Sequence, residues 1–220
     1  MFVLTIASSK GGPGKSTVAM ILCGYLAADG LKIVAVDADP AEAFSRWAAH
    51  AYEGRPFETI AEADETRLAH LIDLKVDHAD LVIIDTAGFG NRAAAVAMTA
   101  ADAILVPTLS GEADITEAEK TIRLAEGLAR AARRDIPAAV LLNRQRRTQL
   151  ARHAATEITN AKLPRLETSL SDLVAFGELS YSGRIPTSGP AAAEVVALIS
   201  ELRNRGWLPA ANAKRNSATR

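Results

Sequence analysis

The sequence predicts an α/β fold, a mostly parallel twisted sheet with helices on both faces. Three observations predict it. Short runs that are apolar at every position alternate with stretches at helical spacing, and strands apolar on both faces belong to parallel sheets covered on both sides. Each run ends in a polar motif, at residues 8–17, 37–40, 85–88, 107–111 and 143–147. Right-handed crossovers carry all strand C-terminal ends to one edge, where ligands bind in such sheets.

Element by element, Phe2–Ala7 reads as the first strand and 15–29 as a helix. Lys32–Val36 is a second buried run, closed by Asp37-Ala38-Asp39-Pro40, and a helix through Trp47 follows. Phe57–Ile60 reads as a weaker strand and Glu65–Leu74 as a helix. Leu81–Ile84 is a four-residue apolar run closed by Asp85, and Ala103–Val106 is another, ending at Pro107. In 112–134 Ile115, Ala118, Ile122, Ala125, Leu128 and Ala132 share one helical face. Ala138–Leu142 reads as a strand, 148–161 as a helix, Leu166–Leu170 as a short strand, and 171–180 and 190–204 as the last helices.

The 220 residues, 49% of them apolar, fit one domain over 1–208 with a core of useful size. Residues 209–220 are small, polar and basic, and are read as a disordered tail. No apolar run is long enough to span a membrane; the longest, Val18–Ala28, is interrupted by Gly24 and Tyr25 and reads as a buried helix. A secretory signal is not expected, because a glycine-rich loop directly follows the first short run. Cys23 is the single cysteine, which excludes a disulfide within the chain and a cysteine-built metal centre. The expected location is the cytoplasm.

The formal net charge of −1 hides an asymmetry. Residues 1–129 carry 10 Lys/Arg against 19 Asp/Glu, and residues 130–220 carry 15 against 7. A basic half suggests an anionic partner, nucleic acid first. Internal neutralisation within one compact domain is the plainer alternative.

The stretch Ser8-Ser9-Lys10-Gly11-Gly12-Pro13-Gly14-Lys15-Ser16-Thr17 carries the chemistry. Gly11, Gly12 and Gly14 let backbone N–H groups turn inward and, with the N-terminus of the next helix, cradle an anion. Lys15 is spaced to reach phosphate oxygens and Ser16 to ligate Mg²⁺, as in a P-loop. Pro13 fixes one φ and offers no N–H. The usual first glycine of that motif would be residue 9, which is Ser9, and an extra lysine, Lys10, follows. Asp85, at the end of a buried run, has the placement of a Walker-B aspartate that holds Mg²⁺ through water.

These motifs resemble the ParA/MinD ATPases. Lys10 to Thr17 looks like that family's deviant Walker A, Val36-Asp37-Ala38-Asp39-Pro40 like its second motif, and Leu81–Asp85 like its Walker B. Ile104–Thr108, Val140–Asn143 and Gly183-Arg184-Ile185-Pro186 resemble later segments of the family, so the likeness covers most of 2–205. The resemblance implies a P-loop ATPase that binds ATP and Mg²⁺ and pairs as a homodimer when ATP is bound. It implies that Lys10 reaches the partner subunit's phosphates, that Asp39 positions the attacking water, that Asp37 lies near the Mg²⁺ edge, and that Asn143 meets the adenine. Nucleotide contacts are then expected from Gly11, Gly12, Pro13, Gly14, Lys15, Ser16, Thr17 and Asn143, and metal contacts from Ser16, Asp37 and Asp85. Catalytic roles fall to Lys10, Lys15 and Asp39. Two departures, Ala41 in place of a common glutamine and Thr86-Ala87-Gly88 in place of Thr-Pro-Pro, adjoin the switch segment that senses the γ-phosphate, so slow turnover is expected; stimulation by a partner is what the resemblance implies.

Within that family the chain is similar to small ParA proteins. An N-terminal helix-turn-helix domain is not expected, because the first strand opens the sequence, and neither is a membrane partner, because the tail does not read as the amphipathic helix of MinD-like proteins. Small ParA proteins bind DNA non-specifically through basic surface, which needs charge and no base reading. From Arg144, Arg146, Arg147, Arg152, Arg165, Arg184, Arg203 and Arg205, the contacts selected are Arg147, Arg184, Arg203 and Arg205. A ParB-like or other adaptor for cargo is the implied protein partner, with nucleoid association in the ATP state. Two alternatives stand beside this reading. One is an ATP-switch scaffold, MinD-like or accessory to DNA transfer, that positions proteins at a surface. The other is an ATP-dependent amidoligase or dethiobiotin-type synthase, against which Lys10 argues.

Overall fold

The computed structural model describes residues 1–75, 78–88, 90–146 and 149–210. In chain order the elements are β1 (Phe2–Ile6), α1 (Lys15–Ala28), β2 (Ile33–Ala38), α2 (Ala43–His50), β3 (Glu58–Ala61), α3 (Glu65–Lys75), β4 (Leu81–Thr86) and α4 (Arg92–Ala100). They continue with β5 (Ala103–Thr108), α5 (Glu112–Ala132), β6 (Ala138–Leu142), α6 (Gln149–Asn160), α7 (Val174–Ser182) and α8 (Gly189–Asn204). The six strands form one sheet in the order β3-β2-β4-β1-β5-β6, and every pairing among the described residues is parallel. The α/β expectation is met.

The sheet is covered on both faces because its strands are apolar on both. On β4, Leu81 and Ile83 join a core with α1, α2, α7 and α8, whereas Val82 and Ile84 face α3 and α4. The β5–β6 side packs on α4, α5 and α6 through Ile104, Val106, Val140 and Leu142. Trp47 stitches α2 to α7 by donating its indole N–H to the Leu179 carbonyl at 2.8 Å. Trp207 and Leu208, the last apolar pair before the tail, are buried in the α1 core rather than offered to a surface. Among the described residues no helix is long and apolar enough to cross a membrane. Residues 211–220 of the expected tail lie outside the described residues.

Three local expectations change. β2 and β4 run two residues past their apolar runs, because Asp37 pairs with Asp85 and Ala38 with Thr86 in continuing register. Helix α4 was not foreseen; Asn91 caps it, its side-chain oxygen accepting the Ala93 N–H. Leu166–Leu170 is not a strand. Leu166 and Leu170 donate N–H bonds to β6 carbonyls, but between them Glu201 of α8 accepts the N–H groups of Glu167 and Thr168, which lifts the middle of the segment off the ladder.

Candidate functional site

All strand C-terminal ends lie on one edge, and the β1–α1 loop crosses it. The loop turns at Gly12 and Gly14, with φ of 92° and 94°, in the left-handed region that favours glycine. Gly14 is doubly constrained, since a Cβ there would sit 2.2 Å from Asn143 Nδ2. It is also the N-cap of α1, with no side chain capping the helix. The first-turn N–H groups therefore have no capping side chain and face a groove. The groove holds about 440 Å³, and Gly11, Gly12, Lys15, Ser16, Asp39 and Asn143 are among the residues that line it, as is Thr17. Pro13 is buried and contributes its carbonyl to Asn143 instead.

Below the groove, adjacent strands set Asp37 and Asp85 side by side. Asp85 is 1% exposed, and neither of its carboxylate oxygens has a hydrogen-bond partner. Burial raises its pKa to about 7, the neighbouring Asp37 adds to the rise, and the nearby Ser16 hydroxyl and Lys15 ammonium offset part of it. Asp37 is fully buried but satisfied: Oδ1 accepts the Asp39 N–H at 3.2 Å and Oδ2 the Ser45 N–H at 2.8 Å. It thereby caps the first turn of α2, and burial raises its pKa. Asp39 lies at the groove and turns the chain by accepting the Ala41 N–H at 2.9 Å.

Lys15 is 7% exposed and donates to the Lys10 carbonyl at 3.2 Å. Burial lowers its pKa, with Asp85 and then Asp39 opposing the shift. Asn143 braces two loops, donating to the Pro13 carbonyl at 2.8 Å and accepting the Arg144 N–H at 2.9 Å. Lys10 points elsewhere, to Asp114 on α5. Ser9, at the position of the absent glycine, is bonded to α5: its N–H donates to Thr121 Oγ1, and its hydroxyl donates to Glu117. A side chain at residue 9 thus anchors the loop to a helix, which glycine would not do.

Of the arginines selected for DNA, Arg184, Arg203 and Arg205 do not line this groove. Arg184 pairs with Glu53 at 3.1 Å and Arg203 with Asp29 at 2.9 Å. Arg205 pairs with Glu201 at 2.8 Å and lies over the Trp207 ring. Arg147 lies outside the described residues. Sequence reasoning missed Asp114 and Glu117, the acidic partners of Lys10 and Ser9. Their signal is helical: Asp114, Glu117 and Thr121 fall three and four residues apart on α5.

A family model described as VirC1 protein matches residues 1–203. Protein virC1 of Rhizobium rhizogenes is 30% identical over 194 residues, covering 84% of this chain and 83% of that protein. Protein ParA of Rhizobium radiobacter is 30% identical over 124 residues, 56% of each chain. The solved ATP complex of Cyanothece McdA has the same fold, with a TM-score of 0.78 over 96% of this chain and 98% of that one, at 16% identity. With the P-loop groove and the buried aspartates already in place, these likenesses mean that the chain belongs to the VirC1 family, within the ParA/MinD class of P-loop ATPases.

Proposed function

We infer that the chain is an ATP-driven switch that hydrolyses ATP slowly, dimerises with ATP bound and positions a cargo. The observation that carries this is Asp85, a buried carboxylate with both oxygens unpartnered directly beneath the anion cradle. A buried charge without a partner is costly, and a cation at this point relieves it. The donor set of Ser16 hydroxyl and Asp85 carboxylate, with Asp37 behind, suits Mg²⁺. Bound Mg²⁺ would offset charge on the phosphate oxygens. The chain's own groups do the rest. Loop N–H groups and Lys15 hold the phosphates, Asn143 keeps the loop braced against β6 near the base, and Asp39 orients a water. Lys10, released from Asp114, reaches the partner subunit's nucleotide and makes hydrolysis depend on pairing. The dimer then binds DNA phosphates without base reading, and an adaptor protein stimulates hydrolysis and release.

Sedimentation velocity and DNA anisotropy with Mg-ATP against Mg-ADP test this. The expected result is a dimer and salt-sensitive DNA binding in ATP alone. Equal behaviour in both nucleotides would refute it. A second reading has its own support: Arg184, Arg203 and Arg205 each face a carboxylate. Arg203 and Arg205, with side chains 23% and 32% exposed, are harder to free than a fully solvated arginine, which favours an ATP-switch scaffold acting through protein contacts, and an ATP-dependent dimer that ignores DNA would select it.

A further inference from the structure

We propose that the apolar pocket between α4 and α5 is a docking site for an acidic segment of a partner protein that carries a large apolar side chain. The pocket holds about 300 Å³, the low end for a small-molecule site, with Ala94, Ala95, Met98 and Leu124 in its lining. Several of its polar lining groups are already occupied. Thr121 Oγ1 accepts the Ser9 N–H and donates to the Glu117 carbonyl. Thr86 Oγ1 donates to the Ile6 carbonyl, and Asn91 Oδ1 accepts the Ala93 N–H. A guest meets mostly apolar surface inside, and charge only where cationic side chains reach the lining.

Those charges have one sign. Arg92 and Lys120 line the pocket with side chains 85% and 60% exposed, and among the described residues no Asp or Glu lines it. Their present partners, Glu65 and Glu117, make exposed pairs, which a competing carboxylate displaces at small cost. Leu124 is 43% exposed, an apolar contact ready for a guest. Met98, buried at 2%, is a side chain that adapts its shape. Acidic and apolar together is the chemistry this surface fits.

The position gives the site a consequence. Ser8 and Ser9, which lead into Lys10, line the pocket together with Thr86 and Ala87, which follow Asp85. A guest touches both segments at once and so can bias the switch. That consequence rests on the partner-stimulated ATPase reading; the docking itself does not.

The test titrates the full chain with anilinonaphthalene sulfonate, an apolar ring system bearing an anion. Saturable binding is expected, weakened at least about tenfold by Ala95→Leu, which fills the pocket. Leu124→Asp, at an exposed position, gives the same loss if the first variant folds poorly; circular dichroism checks both. An acetylated peptide with one Phe among glutamates displaces the dye at lower concentration than its lysine counterpart, and Arg92→Glu with Lys120→Glu reverses that order. Dye affinity unchanged in both filled and charged variants overturns the proposal, as does equal displacement by the two peptides. Loss of the dye signal on dimerisation alone assigns the pocket to a second copy and also overturns it. ATP binding measured on the same samples separates the two ideas: its absence removes the switch reading, while dye failure beside intact ATP binding removes only the docking site.

Discussion

Lys10 Nζ stands 2.6 Å from Asp114 Oδ1, so the lysine assigned to a partner's nucleotide is held within its own subunit. Ser9 binds the same face of α5 through Glu117 and Thr121. The loop entrance is thus moored to one helix at consecutive residues. The Lys10 side chain is 47% exposed, so water screens the pair and its release is inexpensive.

Asp114→Asn should lower the ATP concentration that half-saturates dimerisation. An exposed pair contributes at most about 1 kcal/mol, so the shift is about fivefold or less. Lys10→Ala should bind ATP but fail to dimerise or hydrolyse. Sedimentation velocity against ATP concentration checks both; an Asp114→Asn protein that needs more ATP contradicts the mooring.

Asp85 should make the ligand-free protein less stable as pH rises. Its folded pKa, about 7, lies above the ordinary aspartate value of 3.8. Between those values the folded form holds a proton that the unfolded form has lost, so the stabilisation present below about pH 4 is lost progressively up to about pH 7. The size is a few kcal/mol. Thermal melts at pH 5 and pH 8 should show this fall, and Asp85→Asn should flatten it. Mg²⁺-dependent tightening of nucleotide should grow through the same window and vanish in the variant.

Gly14→Ala should abolish nucleotide binding and destabilise the fold by about 2 kcal/mol or more. The new Cβ meets Asn143 Nδ2 at 2.2 Å, and a left-handed φ strains any side chain. Isothermal titration with ATP beside a melting curve tests it. Wild-type affinity would show that the loop has another way to close.

Glu53→Gln should strengthen DNA binding if Arg184 is a phosphate contact, because the carboxylate at 3.1 Å competes with phosphate. Arg184→Ala should weaken it and reduce the slope of log affinity on log salt by about one. Fluorescence anisotropy over a salt series decides. No change in either variant would leave DNA contact to other residues or to none.

The run of strands and the loop of 8–17 were legible because both are local. β6 has the boundaries its apolar run predicts, and so nearly do α1 and α5. Helix α4 was hidden by its composition. Arg92–Ala100 is mostly alanine, which carries high helix propensity but little periodic contrast; Asn91 as a cap was the available sign. The segment 166–170 looked like a strand, but the Glu201 carboxylate of α8 captures its middle N–H groups, and no local pattern announces a partner more than thirty residues away.

By itself the sequence determined the sheet, the cradle and the carboxylates at its edge, since glycine spacing, apolar runs and their polar ends act within a few residues of chain. Only the tertiary structure decided how those groups are spent. Asp85 is left without a hydrogen bond while Asp37, one strand away in register, is satisfied by two backbone amides. Lys10 is drawn to Asp114 across 104 residues, and the selected arginines of the described chain face carboxylates. The reason is that charge and hydrogen bonding are settled by whichever groups folding brings within reach, and the order of residues along the chain does not state that distance.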